Sequence, residues 1–227
     1  MIRFEHVYKN YQAGNFALED INLEIEKGEF VFLIGPSGSG KTTLLKLLMR
    51  ELLPSEGNVY VDNEIISERR FRHTDVLRKK MGVIFQDFKI VSDKNILENV
   101  MIALSILKIK NAKEEALSHL RQVGLEKKSL FFPLQLSAGE LQRLAIARAV
   151  AGGRNIILAD EPTGNLDPVT TWEIIRLFRK IQTKDTTILF ATHNHDIVNT
   201  LRKRVIVLKQ GKIIKDSHEG VYSLDKT

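Results

Sequence analysis

One octet limits what this chain can become more than any other stretch: Gly35-Pro36-Ser37-Gly38-Ser39-Gly40-Lys41-Thr42, followed by Thr43. It reads G-x-x-x-x-G-K-[ST]. Upstream, residues 29–34 (EFVFLI) form a short apolar run suited to a buried strand. Downstream, Leu44, Leu45, Leu47, Leu48 and Leu52 recur at helical spacing. A glycine-rich loop between a strand end and a helix start is a phosphate cradle. The glycines let backbone N–H groups close on phosphate oxygens. The helix start adds free donors and the positive end of its dipole. Lys41 offers a mobile charge to the outer phosphates, and Thr42 a hydroxyl to Mg²⁺. The octet therefore reads as a site for a nucleoside triphosphate.

The bulk of the chain bounds the rest. Its 227 residues, 43% hydrophobic, suffice for one α/β domain with a sizeable core and an inserted subdomain. It has no cysteine, which excludes disulfides and thiolate chemistry and fits a reducing cytosol. Residues 1–6 alternate like a strand and carry an early acid, unlike a signal peptide. The most apolar helical stretch, 100–107, is far too short to span a bilayer, so the chain is expected to be soluble. Net charge is +6, with basic clusters at Arg69, Arg70 and Arg72, at 78–80 and at 202–204. These suit solvated surface or an anionic partner; no aromatics interleave with them, which favours surface.

Periodicity places the other elements. Residues 2–8 and 20–26 alternate as exposed-edged, antiparallel strands, with a loop at 10–15 between them. The helix after the phosphate loop is expected to stop near Leu53-Pro54, and a short strand follows at 58–61. Residues 81–85 form an apolar strand ending at Gln86. Helical periodicity covers 93–108, 112–123 and 137–151. Strands recur at 155–159 and 186–191, helices at 169–181 and 194–201, and a hairpin at 204–209 and 212–215 closes the chain. The middle is helix-rich while both flanks carry strands, so a helical subdomain at approximately 90–152 is expected inside a nucleotide-binding core.

The strand Ile156-Ile157-Leu158-Ala159 ends in two acids. Brought beside the phosphate loop in a parallel sheet, Asp160 would meet the Mg²⁺ held by Thr42. Glu161 would reach the γ-phosphate, where a carboxylate can orient and deprotonate water. These acids lie well over a hundred residues after Lys41, so a large insert separates the two halves of the site. Within that insert, Ser137 caps a helix with Glu140 three residues on, a capping box. A helix start so built also offers N–H groups to an anion.

In this order the motifs resemble the ATP-binding-cassette (ABC) ATPase subunits, from end to end of the chain. The resemblance implies a P-loop NTPase core of RecA-like type, with an antiparallel β subdomain and an inserted α-helical subdomain. It implies ATP and Mg²⁺ as ligands, and ATP hydrolysis as the activity. Tyr11 matches the aromatic that stacks on adenine, though a packed loop aromatic is the other reading. Gln86 matches the glutamine that touches Mg²⁺ and water and reports nucleotide state. Ser137, Ala138, Gly139 and Glu140 match the signature, with Ala138 and Glu140 departing from the commoner LSGGQ. Asp160 and Glu161 match the Walker B pair, and Gly164-Asn165-Leu166-Asp167 the D-loop. His193 matches the histidine on the γ-phosphate. Catalytic roles thus fall to Glu161, His193 and Lys41. Nucleotide contacts fall to Tyr11, Gly35 to Thr43, Gln86, Ser137, Gly139 and Asp167, and metal contacts to Thr42, Gln86 and Asp160. The family pattern further implies a head-to-tail homodimer with ATP, each phosphate loop opposite the other copy's Ser137.

An integral membrane partner is also implied, holding the chain at the cytoplasmic face of the membrane. Phe88, its neighbours and the apolar helix around 100–107 would line the groove for it. The segment Asp87-Phe88-Lys89-Ile90-Val91 resembles the cell-division branch of the family. The D-loop version is shared with lipoprotein-release and macrolide-efflux ATPases, so a transport role stays open. A nucleic-acid ATPase is not expected, because no coiled-coil insert or second cassette is present. A nucleotide sensor without turnover is disfavoured by the presence of Glu161 and His193.

Overall fold

A computed structural model describes residues 1–12, 15–218 and 220. At its centre is β3 (Phe30–Ile34), buried along its whole length. It lies in a six-stranded sheet of order β10-β9-β3-β8-β7-β6. The members are β6 (Met81–Ile84), β7 (Ile156–Asp160), β8 (Thr187–Thr192), β9 (Arg204–Lys209) and β10 (Lys212–Ser217). All pairs are parallel except the closing β9–β10 hairpin. Parallel strands buried on both faces read as continuous apolar runs, which is how 30–34, 156–159 and 187–191 look in the sequence.

Because strand side chains alternate, the sheet feeds two cores. Phe30, Phe32, Ile34, Ile188 and Phe190 pack on one face with Ile174, Ile175 and Phe178 of α6 (Pro168–Ile181). Val31, Leu33, Leu189, Ile206 and Leu208 pack on the other face with Leu44, Leu45, Leu47 and Leu48 of α1 (Lys41–Leu48). A second, antiparallel sheet of order β2-β1-β4-β5 closes over α1. Its strands are β1 (Ile2–Gln12), β2 (Asn15–Ile25), β4 (Glu56–Val61) and β5 (Glu64–Ile65). Between β6 and β7 the chain adds three helices, α3 (Ile96–Ile106), α4 (Ala112–Gln122) and α5 (Ala138–Val150). Their buried residues Val100, Leu104, Leu120 and Leu144 join the same cluster as the sheet face above α6. Two short helices complete the set, α2 (Thr74–Lys79) and α7 (His195–Leu201).

Two boundaries differ from expectation. The loop expected at 10–15 is largely strand: Asn10, Tyr11 and Gln12 extend β1, and only residues 13 and 14 between the strands lie outside the description. Register shifts in the β1–β2 pair interrupt the alternation there, so the period-2 signal fades before the strands end. Helix α1 stops at Leu48 rather than near Pro54. Arg50 adopts a left-handed φ of 52°. Arg50 N–H donates to Leu47 O and Glu51 N–H to Lys46 O, a Schellman ending. Glycine usually marks that position. Here Arg50 is held instead by bonds from its guanidinium to Ile66 O and Glu68 O.

Phe190 is fully buried, with ring centroids 4.9 Å from Phe178, 5.5 Å from Phe32 and 6.0 Å from Phe30. Phe190→Ala is expected to cost about 3–5 kcal/mol in urea denaturation; a loss below about 1 kcal/mol would contradict this packing.

Candidate nucleotide-binding and hydrolysis site

The parallel sheet sets the site by where its strands end. Ile34 of β3 aligns with Thr192 of β8, and Asp160 of β7 aligns with Ala191 of β8. Three chain segments therefore leave the sheet at one level: the phosphate loop, Glu161 and His193. The carboxyl edge of such a sheet is where ligands bind. Strand β8 stands between β3 and β7, so Asp160 reaches the loop across one strand. A cleft of about 770 Å³ opens there, lined by Tyr11, Ala17, residues 36–43, Gln86, Asp160, Glu161 and His193.

Backbone freedom shapes the cradle at two glycines. Gly35 has φ 151°, and a Cβ on it would sit 2.1 Å from Leu208 O. Gly40 precedes α1 with φ 110°, and a Cβ there would meet Ala17 O and Leu18 Cδ2 at 2.7 Å. The second contact ties the loop to β2, which is why Ala17 lines the cleft. Lys41 is 7% exposed. Its ammonium donates to Gly35 O at 2.8 Å and Pro36 O at 3.1 Å, and lies 3.8 Å from Glu161 Oε1. The loop's own carbonyls thus park the lysine where phosphate oxygens can take it over.

The two acids are treated differently by their surroundings. Burial raises the Asp160 carboxyl above the usual carboxylate range; the Thr42 hydroxyl opposes this, and the Glu161 charge adds to it. Asp160 Oδ1 is buried with no hydrogen-bond partner. A carboxylate oxygen left bare beside a threonine hydroxyl fits a hard cation such as Mg²⁺, which takes one or two protein oxygens and completes its shell with phosphate and water. Among the described residues no cluster of three His, Cys, Asp or Glu could hold a metal alone. Glu161 has a left-handed φ of 49°, a strained conformation for a long side chain. Its amide donates to Ala191 O and its carbonyl accepts from Gly164 N–H. His193 Nδ1 lies 2.9 Å from Glu161 Oε2. His193 is two-thirds exposed, whereas the glutamate is 15% exposed.

Tyr11 and Gln86 reach the cleft as expected. The Tyr11 hydroxyl lies 3.3 Å from Thr43 Oγ1, while the residue as a whole is 58% exposed. Gln86 is exposed, with Nε2 close to Gly164. Ser137, Gly139 and Asp167 do not line the cleft. Ser137 N-caps α5 in the capping box that the spacing announces. Asp167 N-caps α6, accepting from Thr170 N–H at 3.0 Å and from the Thr170 hydroxyl. That bond to Thr170 holds its carboxyl below the usual range. The two caps touch: a Cβ on Gly139 would stand 2.5 Å from Thr170 Cγ2.

Sequence reasoning missed one residue near the site. Phe88 and Lys89 carry left-handed φ values of 59° and 48°. Arg148 of α5 donates to Phe88 O at 2.9 Å and also bonds Lys89 O. An arginine on a predicted helix gives no signal of such a clamp. A second cleft of about 730 Å³ begins at Thr42 and Asp160 and runs past Gln86 to Met49, Glu51, Asp87 and Lys89. The helix around 100–107 does not supply the groove as a whole. Val100 and Leu104 are fully buried, and only Ile102 and Ile106 of that turn pair show large exposed surface.

Comparison with known proteins agrees with this geometry. The family model described as ABC transporter matches residues 18–164. The cell division ATP-binding protein FtsE of Mycobacterium tuberculosis is 44% identical, with 100% of both chains covered. FtsE of Bacillus subtilis is 41% identical over 98% of each chain, and FtsE of Escherichia coli 40% identical over 97% of this chain and 99% of that one. A dimeric ATP-binding cassette in a post-hydrolysis state, bound to ADP and Pi, superposes with TM-score 0.87 at 35% identity, covering 98% of this chain and 100% of that chain. The chain therefore belongs to the ABC transporter family, as one of its ATP-hydrolysing cassettes. Within that family it falls among the FtsE proteins.

The half-buried Asp160 carries a stability cost. Its folded-state value is raised, so the penalty is absent at low pH and builds as pH rises from the ordinary aspartate value, near 3.9, through the folded one. Nucleotide-free Asp160→Asn should match or exceed the wild type in urea denaturation at pH 7, with the difference vanishing below about pH 4. A variant less stable at pH 7 would contradict that reading.

Proposed function

We propose that this chain is the ATPase subunit of an FtsE–FtsX-type complex, which couples ATP-driven closure of two cassettes to a membrane partner controlling cell-wall hydrolysis in cell division. The observation that carries the ATPase half is the convergence of Lys41, Asp160, Glu161 and His193 on one cleft. In the proposed mechanism, loop amides and Lys41 bind the β- and γ-phosphates. Thr42, Asp160 and Gln86 would hold Mg²⁺, which would supply positive charge to offset the negative charge that builds on the phosphates. Glu161 orients a water and takes its proton as the water attacks in line. His193 fixes the Glu161 carboxylate through Oε2 and extends from it toward the γ-phosphate. The exposed Tyr11 ring stacks on adenine while its hydroxyl keeps it at Thr43.

The site so built is half complete. Ser137 is exposed and away from the cleft of its own chain. A second copy, related head to tail, brings its Ser137 to the open side of the triphosphate, and two ATP molecules join the pair. The dimeric cassette solved with ADP and Pi supports pairing of two copies. Asp167, beside Gly139 through Thr170, lies where nucleotide state in one site can reach the signature of the other.

The partner supplies the membrane span, since among the described residues no helix is long and apolar enough to cross a membrane. The cleft past Gln86 suits a partner helix, because it shares Thr42 and Asp160 with the nucleotide site. With the FtsE relatives as support, we take FtsX as that partner and the cytoplasmic face of the membrane as the site of the pair.

Glu161→Gln should bind Mg-ATP, sediment as a dimer and turn over at least about 100-fold more slowly. A Glu161→Gln protein that stays monomeric at saturating Mg-ATP contradicts the sandwich.

A further inference from the structure

The signature helix carries a charge that works against its proposed task. At the start of α5 the amides of Ala138 and Gly139 belong to the first turn, which has no partners inside the helix. The Ser137 hydroxyl sits with them and caps Glu140 N–H at 3.3 Å. Such a start attracts an anion. Yet Glu140 lies in the same turn with its carboxylate only 15% exposed. Glu140 Oε2 accepts from Ser137 N–H at 3.0 Å and from the Ser137 hydroxyl at 3.3 Å. An uncompensated carboxylate here repels a triphosphate.

One side chain removes that conflict. Lys128 Nζ donates to Glu140 Oε1 at 2.5 Å. Lys128 ends a 3₁₀ turn (Glu126–Lys128) between α4 and α5. That turn is fixed by a fork from Arg121 Nε and Nη2 to the two oxygens of Glu126. The ammonium also lies 5.7 Å from the Phe131 ring centroid. The lysine therefore arrives at Glu140 from a preset position. We propose that Lys128 is a positioning residue for the composite ATP site: it neutralises Glu140, so that the Ser137 end of α5 receives the triphosphate tail of ATP held by a second copy. This inference rests on the head-to-tail reading above and adds to it a residue that acts only through Glu140.

A glutamine at 140 keeps the bond to the Ser137 amide without the charge, so it needs no lysine. Dependence on Lys128 should therefore vanish when Glu140 is replaced. The test uses full-length protein carrying Glu161→Gln, so that ATP persists, with dimerisation in Mg-ATP followed by sedimentation. Lys128→Met should weaken the dimer about tenfold, and added salt should narrow the gap by screening the repulsion. Lys128→Arg should retain the dimer. Lys128→Met combined with Glu140→Gln should restore it. ATP binding to the isolated monomer should be unchanged in all, because each chain's own cleft excludes Lys128. An unaffected Lys128→Met dimer overturns the inference. So does a double variant as weak as Lys128→Met, since Lys128 would then be supporting the fold and not the charge balance. If the Glu161→Gln parent itself fails to dimerise, the head-to-tail reading falls and this inference falls with it.

Discussion

Three parallel strands ending at one level are the constraint on which the rest of this structure depends. β3, β8 and β7 are locked in register by ladder hydrogen bonds and by side chains buried on both faces. Phe32, Phe190 and Leu158 have no exposed surface. Sliding any strand by one residue would invert its faces, so the ends cannot drift. The phosphate loop, His193 and the Asp160–Glu161 pair are thus delivered to one edge by the core, not by their own contacts. Few bonds hold the catalytic side chains themselves, and the sheet makes few necessary.

Several uncommon features gather at this edge. Lys41 is buried against carbonyls. Asp160 is half-buried, with one inaccessible oxygen bare. Glu161 sits in a conformation that favours glycine. Phe88 and Lys89 repeat the theme one loop away, where strained backbone is held by Arg148. The strain lies next to Gln86, between the nucleotide cleft and the groove proposed for the partner.

Much of this was legible in the sequence, for physical reasons. The phosphate loop announces itself because its chemistry needs glycines at fixed spacing. The helices α3 to α6 carry unbroken 3.6-residue periodicity, and the core strands are uniform apolar runs. Legibility failed where a local rule was satisfied by an unexpected residue. Arg50 ends α1 in place of glycine, held by carbonyls sixteen and eighteen residues away that no local pattern shows. Bulges hid the far ends of β1 and β2. The short elements β5 and α2 are too brief to carry a period. Ser137 was legible as a helix cap, and Gly139 and Asp167 as motif residues, but only the fold shows that all three lie outside their own chain's cleft. Lys128 and Arg148 were invisible, since an exposed-looking cation on a helix or turn has no signature of its partner.

Ser137 lies outside the cleft of its own chain, and on the proposed head-to-tail reading two copies complete each other. Mixing two variants tests it most directly. One carries Lys41→Met and the other Ser137→Arg, each inactive alone. In a head-to-tail dimer the intact phosphate loop of one faces the intact Ser137 of the other. Half the dimers then hold one sound site of two, so ATP hydrolysis should return to about a quarter of the wild-type rate. If the mixture stays as inactive as its components, each site is complete within one chain and the account is wrong.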